Sequence, residues 1–248
     1  MTTGLAGQFA RDEKAGNYPY IRPKDAGTLL ILDQAAGAPV RVLMGRRHMK
    51  HAFMPGKFVF PGGRVDASDS RIKGVRPYHP VVEHKLAKDL KSPKSAARIR
   101  AFALAAIRET YEEAGVFLGQ RGGQTPLTLG SGFEAFAERH ILPDLEPLRF
   151  VGRAITPPKR PRRFDARFFA VFADAIADQL PDGRGPSGEL EDCAWLTLEE
   201  ARGKDIPLIT KTILKDLEDR LAADPSLSPD TPVPFYYFRK DDFRRDLL

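Results

Sequence analysis

One stretch restricts the fold more than any other, the run from Ala96 to Gly115. Ala96, Ala97, Ile99, Phe102, Ala103, Ala106, Ile107 and Tyr111 recur at mostly helical spacing, which predicts one long amphipathic helix. Ser92-Pro93 has the form of an N-cap followed by a first-turn proline. Gly115 is a natural stop, because glycine takes the left-handed C-terminal conformation at little cost. The last turn carries Glu109, Glu112 and Glu113. Residues three and four apart share a helix face, so Glu109 stands beside both of the others. Like charges at that spacing cost about 0.2–0.5 kcal/mol per pair. The helix macrodipole also disfavours anions at a C-terminus. Two unfavourable placements in one turn point to a bound metal ion. The bland alternative is a solvated face on which Arg108 simply supports Glu112.

Short apolar runs on either side predict strands. Residues 26–32 and 40–44 read as a hairpin turning at Gly37-Ala38-Pro39, and Phe58-Val59-Phe60 as a third strand. Pro61-Gly62-Gly63 stops that strand and reads as a turn with little side-chain bulk. Residues 150–155 and 166–172 read as neighbouring strands, and 191–196 as another, with Thr197 capping a helix that begins at Leu198. Leu208, Ile209, Ile213, Leu214, Leu217 and Leu221 form the stripe of a last amphipathic helix. Short helices are expected over residues 81–90 and 133–139. Irregular alternation of this kind favours an α/β (α+β) fold with a mixed β-sheet sandwiched between helices. Residues 1–20 read as a flexible leader and 21–222 as one domain. Residues 223–248 read as a C-terminal tail, with Phe235-Tyr236-Tyr237-Phe238 as a strand or interface segment, packed on the domain or at an interface.

Composition narrows the context. A chain of 248 residues, 42% of them hydrophobic, can build a real core. With no run of eighteen apolar residues, no membrane span is expected. The first twenty residues lack the apolar segment of a secretory signal. Cys193 is the one cysteine, which excludes an internal disulfide framework and a cysteine zinc site. A cytoplasmic, reducing compartment is therefore expected, with Cys193 as a buried, inert thiol and Trp195 in the core. His48 and His51 lack a partner cluster and read as loop residues. The net charge of +6 has its densest runs at Arg46-Arg47-His48 and Lys159-Arg160-Pro161-Arg162-Arg163. Such a surface recruits nucleic acid, anionic lipid or small phosphorylated substrates.

Phe60-Pro61-Gly62-Gly63, followed later by Arg108-Glu109-x-x-Glu112-Glu113-x-Gly115-Val116, resembles the Nudix hydrolase box. Placing Gly63 at the start of the family pattern puts Asp69 where the first glutamate is expected. Thirty-eight residues then separate Asp69 from Arg108 where the pattern has seven, and Thr110 replaces a bulky apolar residue. The insertion, about residues 70–100, is itself informative. Together with the stretch from Phe53 to Gly63 and with Arg162-Arg163-Phe164-Asp165-Ala166-Arg167-Phe168-Phe169, it resembles the branch containing peroxisomal-type coenzyme A and acyl-CoA diphosphatases. Ala52 stands where that branch's signature has arginine.

The resemblance spans roughly residues 25 to 220 and implies a Nudix fold and a metal-dependent diphosphatase. Its substrate would be a nucleoside diphosphate linked to another moiety. The narrow expectation is CoA or acyl-CoA, cleaved to 3′,5′-ADP and a 4′-phosphopantetheine product. ADP-ribose or a nucleotide sugar competes with it, and a non-catalytic nucleotide-binding module and RNA end processing are the other classes. The resemblance implies Mg²⁺ or Mn²⁺ on Glu109 and Glu113 with Glu112 close by, and a backbone carbonyl near Gly63. Arg108 would orient Glu112. Arg46, Arg47 and Lys57 around the Gly62-Gly63 turn, and Arg153, Arg163 and Arg167 downstream, are the candidates for phosphate, since guanidinium forks match its oxygens. The general base is a box glutamate or one of Glu189, Glu191 and Asp192. Asp69 reads as structural rather than as a metal ligand. No nucleic-acid or membrane partner is expected, and a homodimer is left open.

Overall fold

A computed structural model describes residues 18–50, 54–73, 75–91, 94–122, 129–239 and 242–248. Its centre is a mixed sheet. In spatial order the strands are β11 (Leu190–Thr197), β2 (Arg41–Arg47), β1 (Lys24–Asp33), β9 (Phe164–Phe172), β8 (Arg149–Ile155), β12 (Pro234–Arg239) and β13 (Asp242–Leu247). Two short strands attach alongside, β3 (Phe58–Val59) on β2 and β4 (Gly62–Arg64) on β1. β1 runs parallel to β9, and β8 to β12, while the other neighbours are antiparallel. β5 (Val116–Leu118) pairs with β10 (Ile176–Gln179), and β6 (Gln120–Arg121) with β7 (Ile141–Leu142). The helices are α1 (Pro80–Ala87), α2 (Ala96–Ala114), α3 (Glu134–Glu138), α4 (Leu198–Gly203) and α5 (Leu208–Ala223). Among the described residues, no helix is long and apolar enough to cross a membrane.

The apolar run in β1 is continuous because the strand is covered on both faces. Successive side chains point to opposite faces. Leu29 and Ile31 join a core under α2 with Phe102, Ala106 and Phe169. Leu30 and Leu32 join a second core under α5 with Phe168, Ile213, Leu214 and Leu217. A helix lies this close to a strand only where the strand lacks bulk. A Cβ at Gly27 would collide with the Phe102 carbonyl oxygen and lie 3.1 Å from the Ala106 Cβ. Gly27→Ala is therefore expected to cost about 1–3 kcal/mol by forcing α2 off the sheet. Urea denaturation checks this, and an unchanged midpoint would contradict it.

Four sequence expectations meet a different outcome. Gly62 and Gly63 are not a free turn: with Arg64 they form β4, paired to Thr28, Gly27 and Ala26. β4 takes the place of β2, which has only Leu32–Val42 and Asp33–Arg41 in register with β1. The domain does not stop at residue 222, because the C-terminal stretch, read as a strand or interface segment, adds β12 to the central sheet through Phe235–Arg153 and Tyr236–Ala154. A sequence pattern shows that residues 235–238 suit a strand but not which strand accepts them. The long helix is capped by Ser95, whose Oγ accepts from the Arg98 N–H at 3.2 Å. Ser92-Pro93, like most of the leader, lies outside the described residues. Trp195 is only partly buried at the edge of the core.

The insertion braces the helix that carries the acidic turn. Tyr78 Oη donates to the Ile99 carbonyl (3.0 Å) and accepts from the Ala103 N–H (3.2 Å). Lys85 of α1 donates to the carbonyls of Pro229 (2.6 Å) and Thr231 (2.8 Å), which ties the insertion to the loop before β12.

Candidate active site

The last turn of α2 is built around Arg108, whose side chain is almost fully buried. Its Nε donates to Asp69 Oδ1 at 2.9 Å and its Nη2 to Asp69 Oδ2 at 3.2 Å. Nη1 donates to Glu109 Oε1 (2.9 Å) and Glu112 Oε2 (3.0 Å), and Nη2 reaches the Arg64 carbonyl (3.1 Å). Burial opposes the guanidinium charge, but Asp69, Glu109 and Glu112 outweigh it and raise the pKa above the ordinary arginine value. Asp69, with no exposed surface, also accepts from the Asp66 N–H at 2.8 Å. That fits its structural reading. Thr110 fits a position expected to be apolar because its hydroxyl turns back to the Ala106 carbonyl at 2.7 Å. Gly115 closes the helix at φ 69°, and the N–H groups of Gly185 (3.2 Å) and Ser187 (2.8 Å) satisfy the carbonyls of Glu113 and Glu112.

Glu113 Oε2 accepts from the Gly62 N–H at 2.9 Å. A Cβ at Gly63 would collide with the Glu109 carboxylate, so the missing side chain admits that acid, while a Cβ at Gly62 would meet the Gly27 carbonyl and Thr28 of β1. Glu113 is 2% exposed. Burial pushes its pKa up to about 8, with the Gly62 N–H opposing and Glu109 adding to the rise. Burial likewise pushes Glu109 up to about 7, with Arg108 opposing and Glu112 adding. The structure thus leaves one buried and one half-buried carboxylate poorly compensated, with oxygen donors only.

A divalent cation fits that deficit. Mg²⁺ is commonly held by one or two carboxylates plus substrate phosphate. Among the described residues, no group of three or more His, Cys, Asp or Glu side chains closes around a cation. Glu112 is drawn to Arg108 and about a third of its side chain is exposed.

The raised values fix the direction of a pH effect. An acid whose pKa is raised on folding holds its proton more tightly when folded. The resulting stability is complete below the ordinary glutamate value of 4.5 and lost as pH rises through about 7 and 8. The metal-free protein is therefore expected to melt at progressively lower temperature between pH 5 and pH 8.5, with a shallower decline in excess Mg²⁺ or Mn²⁺. Thermal unfolding across that range checks this; a rising midpoint without metal would contradict it.

Glu109, Glu113, Gly62 and Gly63 open into a cleft of about 820 Å³. Of the expected phosphate ligands, Arg47 and Arg163 line it. Arg163 is anchored by donating to the carbonyls of Thr156 (3.0 Å) and Ile21 (2.9 Å). Arg46 does not line the cleft: it pairs with Asp192 (2.7 Å) and Glu191 (3.2 Å). Lys57 does not line it either, and pairs with Asp205 at 2.7 Å.

Arg167 and Arg153 face away, and strand alternation is the reason. Phe164, Ala166 and Phe168 of β9 line the cleft, so Asp165 and Arg167 point to the opposite face. There Arg167 stacks 4.0 Å over Phe102 and pairs with Asp25 (2.9 Å), while Arg153 pairs with Asp165 (2.8 Å). Of the three candidate bases outside the helix, only Glu189 lines the cleft; Glu191 and Asp192 are held by Arg46. Sequence reading missed Lys24, Arg64, Thr28 and the aromatic group Tyr236, Phe238 and Phe243, all of which line the cleft. The signal for Lys24 was its place two residues before Ala26 on the same strand face. Cys193, expected to be buried, is only partly buried at the edge of the core, though that burial still pushes its thiol up to about 11.

Comparison with known proteins places this architecture among relatives. No protein-family model matches the chain. Over 120 residues the chain is 32% identical to the acyl-coenzyme A diphosphatase NUDT19 of Xenopus laevis, a match covering 42% of this chain and 31% of that one. A Caenorhabditis elegans relative, also named as a nudix hydrolase, is 27% identical over 146 residues, 54% of this chain and 40% of its own. The chain therefore spans less than half the length of these curated relatives. The crystal structure of a NUDIX hydrolase from Alicyclobacillus acidocaldarius superposes with a TM-score of 0.59 at 28% identity. That alignment covers 82% of this chain and 93% of the other.

Proposed function

We propose, from the premise that this chain belongs to the Nudix hydrolase superfamily, that it hydrolyses the diphosphate bond of a nucleoside diphosphate carrying a second moiety, with CoA or acyl-CoA as substrate. One observation carries the reading: buried Glu113 and half-buried Glu109 abut the Gly62-Gly63 backbone at the end of a long cleft. Glu109 and Glu113 would hold Mg²⁺ or Mn²⁺. When bound, such an ion neutralises charge on phosphoryl oxygens and acidifies water.

The remaining tasks fall to the chain's own side chains. Arg108 positions the Glu109 carboxylate and keeps Glu112 out of the cleft. Arg47 and Arg163 present guanidinium groups where phosphate oxygens would lie, with Lys24 and Arg162 adding positive charge at the lining. Glu189, on the same lining, is the candidate to accept a proton from the attacking water. The narrow substrate rests on the likeness to the Xenopus acyl-coenzyme A diphosphatase and on a cleft at the roomy end of ligand pockets, which run to about 1,000 Å³.

Product analysis with CoA, ADP-ribose, NADH and dinucleoside polyphosphates at equal concentration, with Mg²⁺ or Mn²⁺, tests the proposal. CoA is expected to give 3′,5′-ADP and 4′-phosphopantetheine fastest. Turnover of ADP-ribose but not CoA would replace the narrow reading, and no turnover of any of them would leave a binding module.

A further inference from the structure

The cleft has a direction, set by strand register. Arg64 of β4 is opposite Ala26 of β1, Ala26 is beside Ala166 of β9, and Ala166 is opposite Ala154 of β8. Ala154 is in turn beside Tyr236 of β12. Residues in register on adjacent strands share a face, and all five line the cleft. Three consecutive alanines in the row make a trough across the strands, because nothing larger than a methyl group rises from the floor. The first turn of α5 contributes Ile209 and Thr210 to the same lining. Neighbouring strands are about 4.8 Å apart, so four intervals from β4 to β12 measure roughly 19 Å.

The two ends differ in chemistry. At β4 are the carboxylates, the glycine backbone and Arg64, while Lys24 starts β1 and Arg162 and Arg163 stand just before β9. At β12 and β13 the wall is aromatic: Tyr236 and Phe243 stack at 6.0 Å and Phe238 lies 5.4 Å from Phe243. That wall is fixed in place, since Tyr236 Oη donates to Asp216 at 2.6 Å and accepts from Arg245 Nε at 3.0 Å.

We infer that this trough seats the non-nucleotide half of an extended diphosphate substrate, a neutral, flexible, largely apolar chain that runs from the glycine end to the Tyr236–Phe238–Phe243 wall. The inference rests on the diphosphatase reading above and adds where the leaving moiety lies. A base joined to its diphosphate through one sugar is too short to reach that wall. An extended peptide-like chain covers about 3.3–3.6 Å per unit, so five or six units span the trough. On this account the alanine row and the aromatic wall of β12 and β13 select for length, while the carboxylates select for diphosphate.

The test fills the trough with Ala166→Leu and, separately, removes part of its far wall with Phe243→Ala. Turnover is measured on ADP-ribose, CoA and a series of acyl-CoA esters of increasing chain length. Ala166→Leu is expected to lower the ratio of kcat/KM for CoA over ADP-ribose at least tenfold, mainly through KM. Phe243→Ala is expected to flatten the dependence on acyl length at least fivefold. Calorimetric titration of 4′-phosphopantetheine, which needs no turnover, is expected to show at least tenfold weaker binding to Ala166→Leu than to the parent protein. Equal losses on CoA and ADP-ribose, or unchanged ratios and unchanged 4′-phosphopantetheine binding, would overturn the inference while leaving the diphosphatase reading intact. A parent protein inert toward every diphosphate would overturn that reading instead, and the titration would still decide whether the trough takes a chain.

Discussion

Glu113→Gln is expected to lower metal-dependent diphosphate hydrolysis by about 10²–10³-fold, the range seen when one preorganised electrostatic contact to a transition state is lost. The same substitution is expected to raise thermal stability at pH 8. Glu113 is 2% exposed, and its charge is opposed by burial and by neighbouring Glu109. Glutamine keeps an oxygen for the Gly62 N–H but carries no charge into that space. Each kcal/mol relieved should raise the melting midpoint by about 2–4 °C in a chain of this size. Activity and stability moving in opposite directions is the signature of a group strained for function. A variant that loses stability and activity together would instead mark Glu113 as a structural acid.

Arg108→Met is expected to be the most destabilising single change in the site. Its guanidinium is the partner of Asp69 through two hydrogen bonds, and Asp69 has no exposed surface. Removing one member of a buried ion pair strands the other, at about 3–5 kcal/mol. Urea denaturation should show that loss, and Arg108→Met combined with Asp69→Leu should recover a large part of it, because no charge is then stranded. The double variant should stay poorly active, since the cation that positions Glu109 in the cleft and keeps Glu112 out of it is gone. Additive losses in the double variant would contradict the pairing.

The fold was legible where a residue's neighbours in sequence decide its state. The spacing of Phe102, Ala106 and Ile107 and the stop at Gly115 set α2 without reference to anything distant. Thr197 formed its capping box with Glu200 for the same reason. Legibility failed where long-range pairing decides. Gly62 and Gly63 read as a turn because glycine is a poor strand former, yet β1 and the Glu113 carboxylate supply partners that only the fold brings near. Arg167 read as a phosphate ligand from its company of arginines, whereas its place one residue after Ala166 sends it to the other side of the sheet.

The acidic turn itself was half legible. Helical spacing puts Glu109 beside Glu112 and Glu113, but it does not reveal that one Arg108 nitrogen bridges Glu109 and Glu112 while Glu113 turns to the Gly62 N–H. One carboxylate is drawn toward solvent and two are left toward the glycine pair. The aromatic end of the cleft was invisible, since Tyr236, Phe238 and Phe243 meet Ala154 and Ala166 only after β12 has joined the central sheet.

The central claim is that the Glu109–Glu113 pair is kept undercompensated to hold a divalent ion. Calorimetric titration of Mn²⁺ into the parent protein and into Glu109→Gln/Glu113→Gln, at pH 6 and pH 8.5, tests it most directly. The account predicts saturable binding to the parent that tightens at the higher pH as the two carboxyls lose their protons, and loss of that binding in the double variant. Equal binding by both proteins, or parent affinity that does not change with pH, would contradict it.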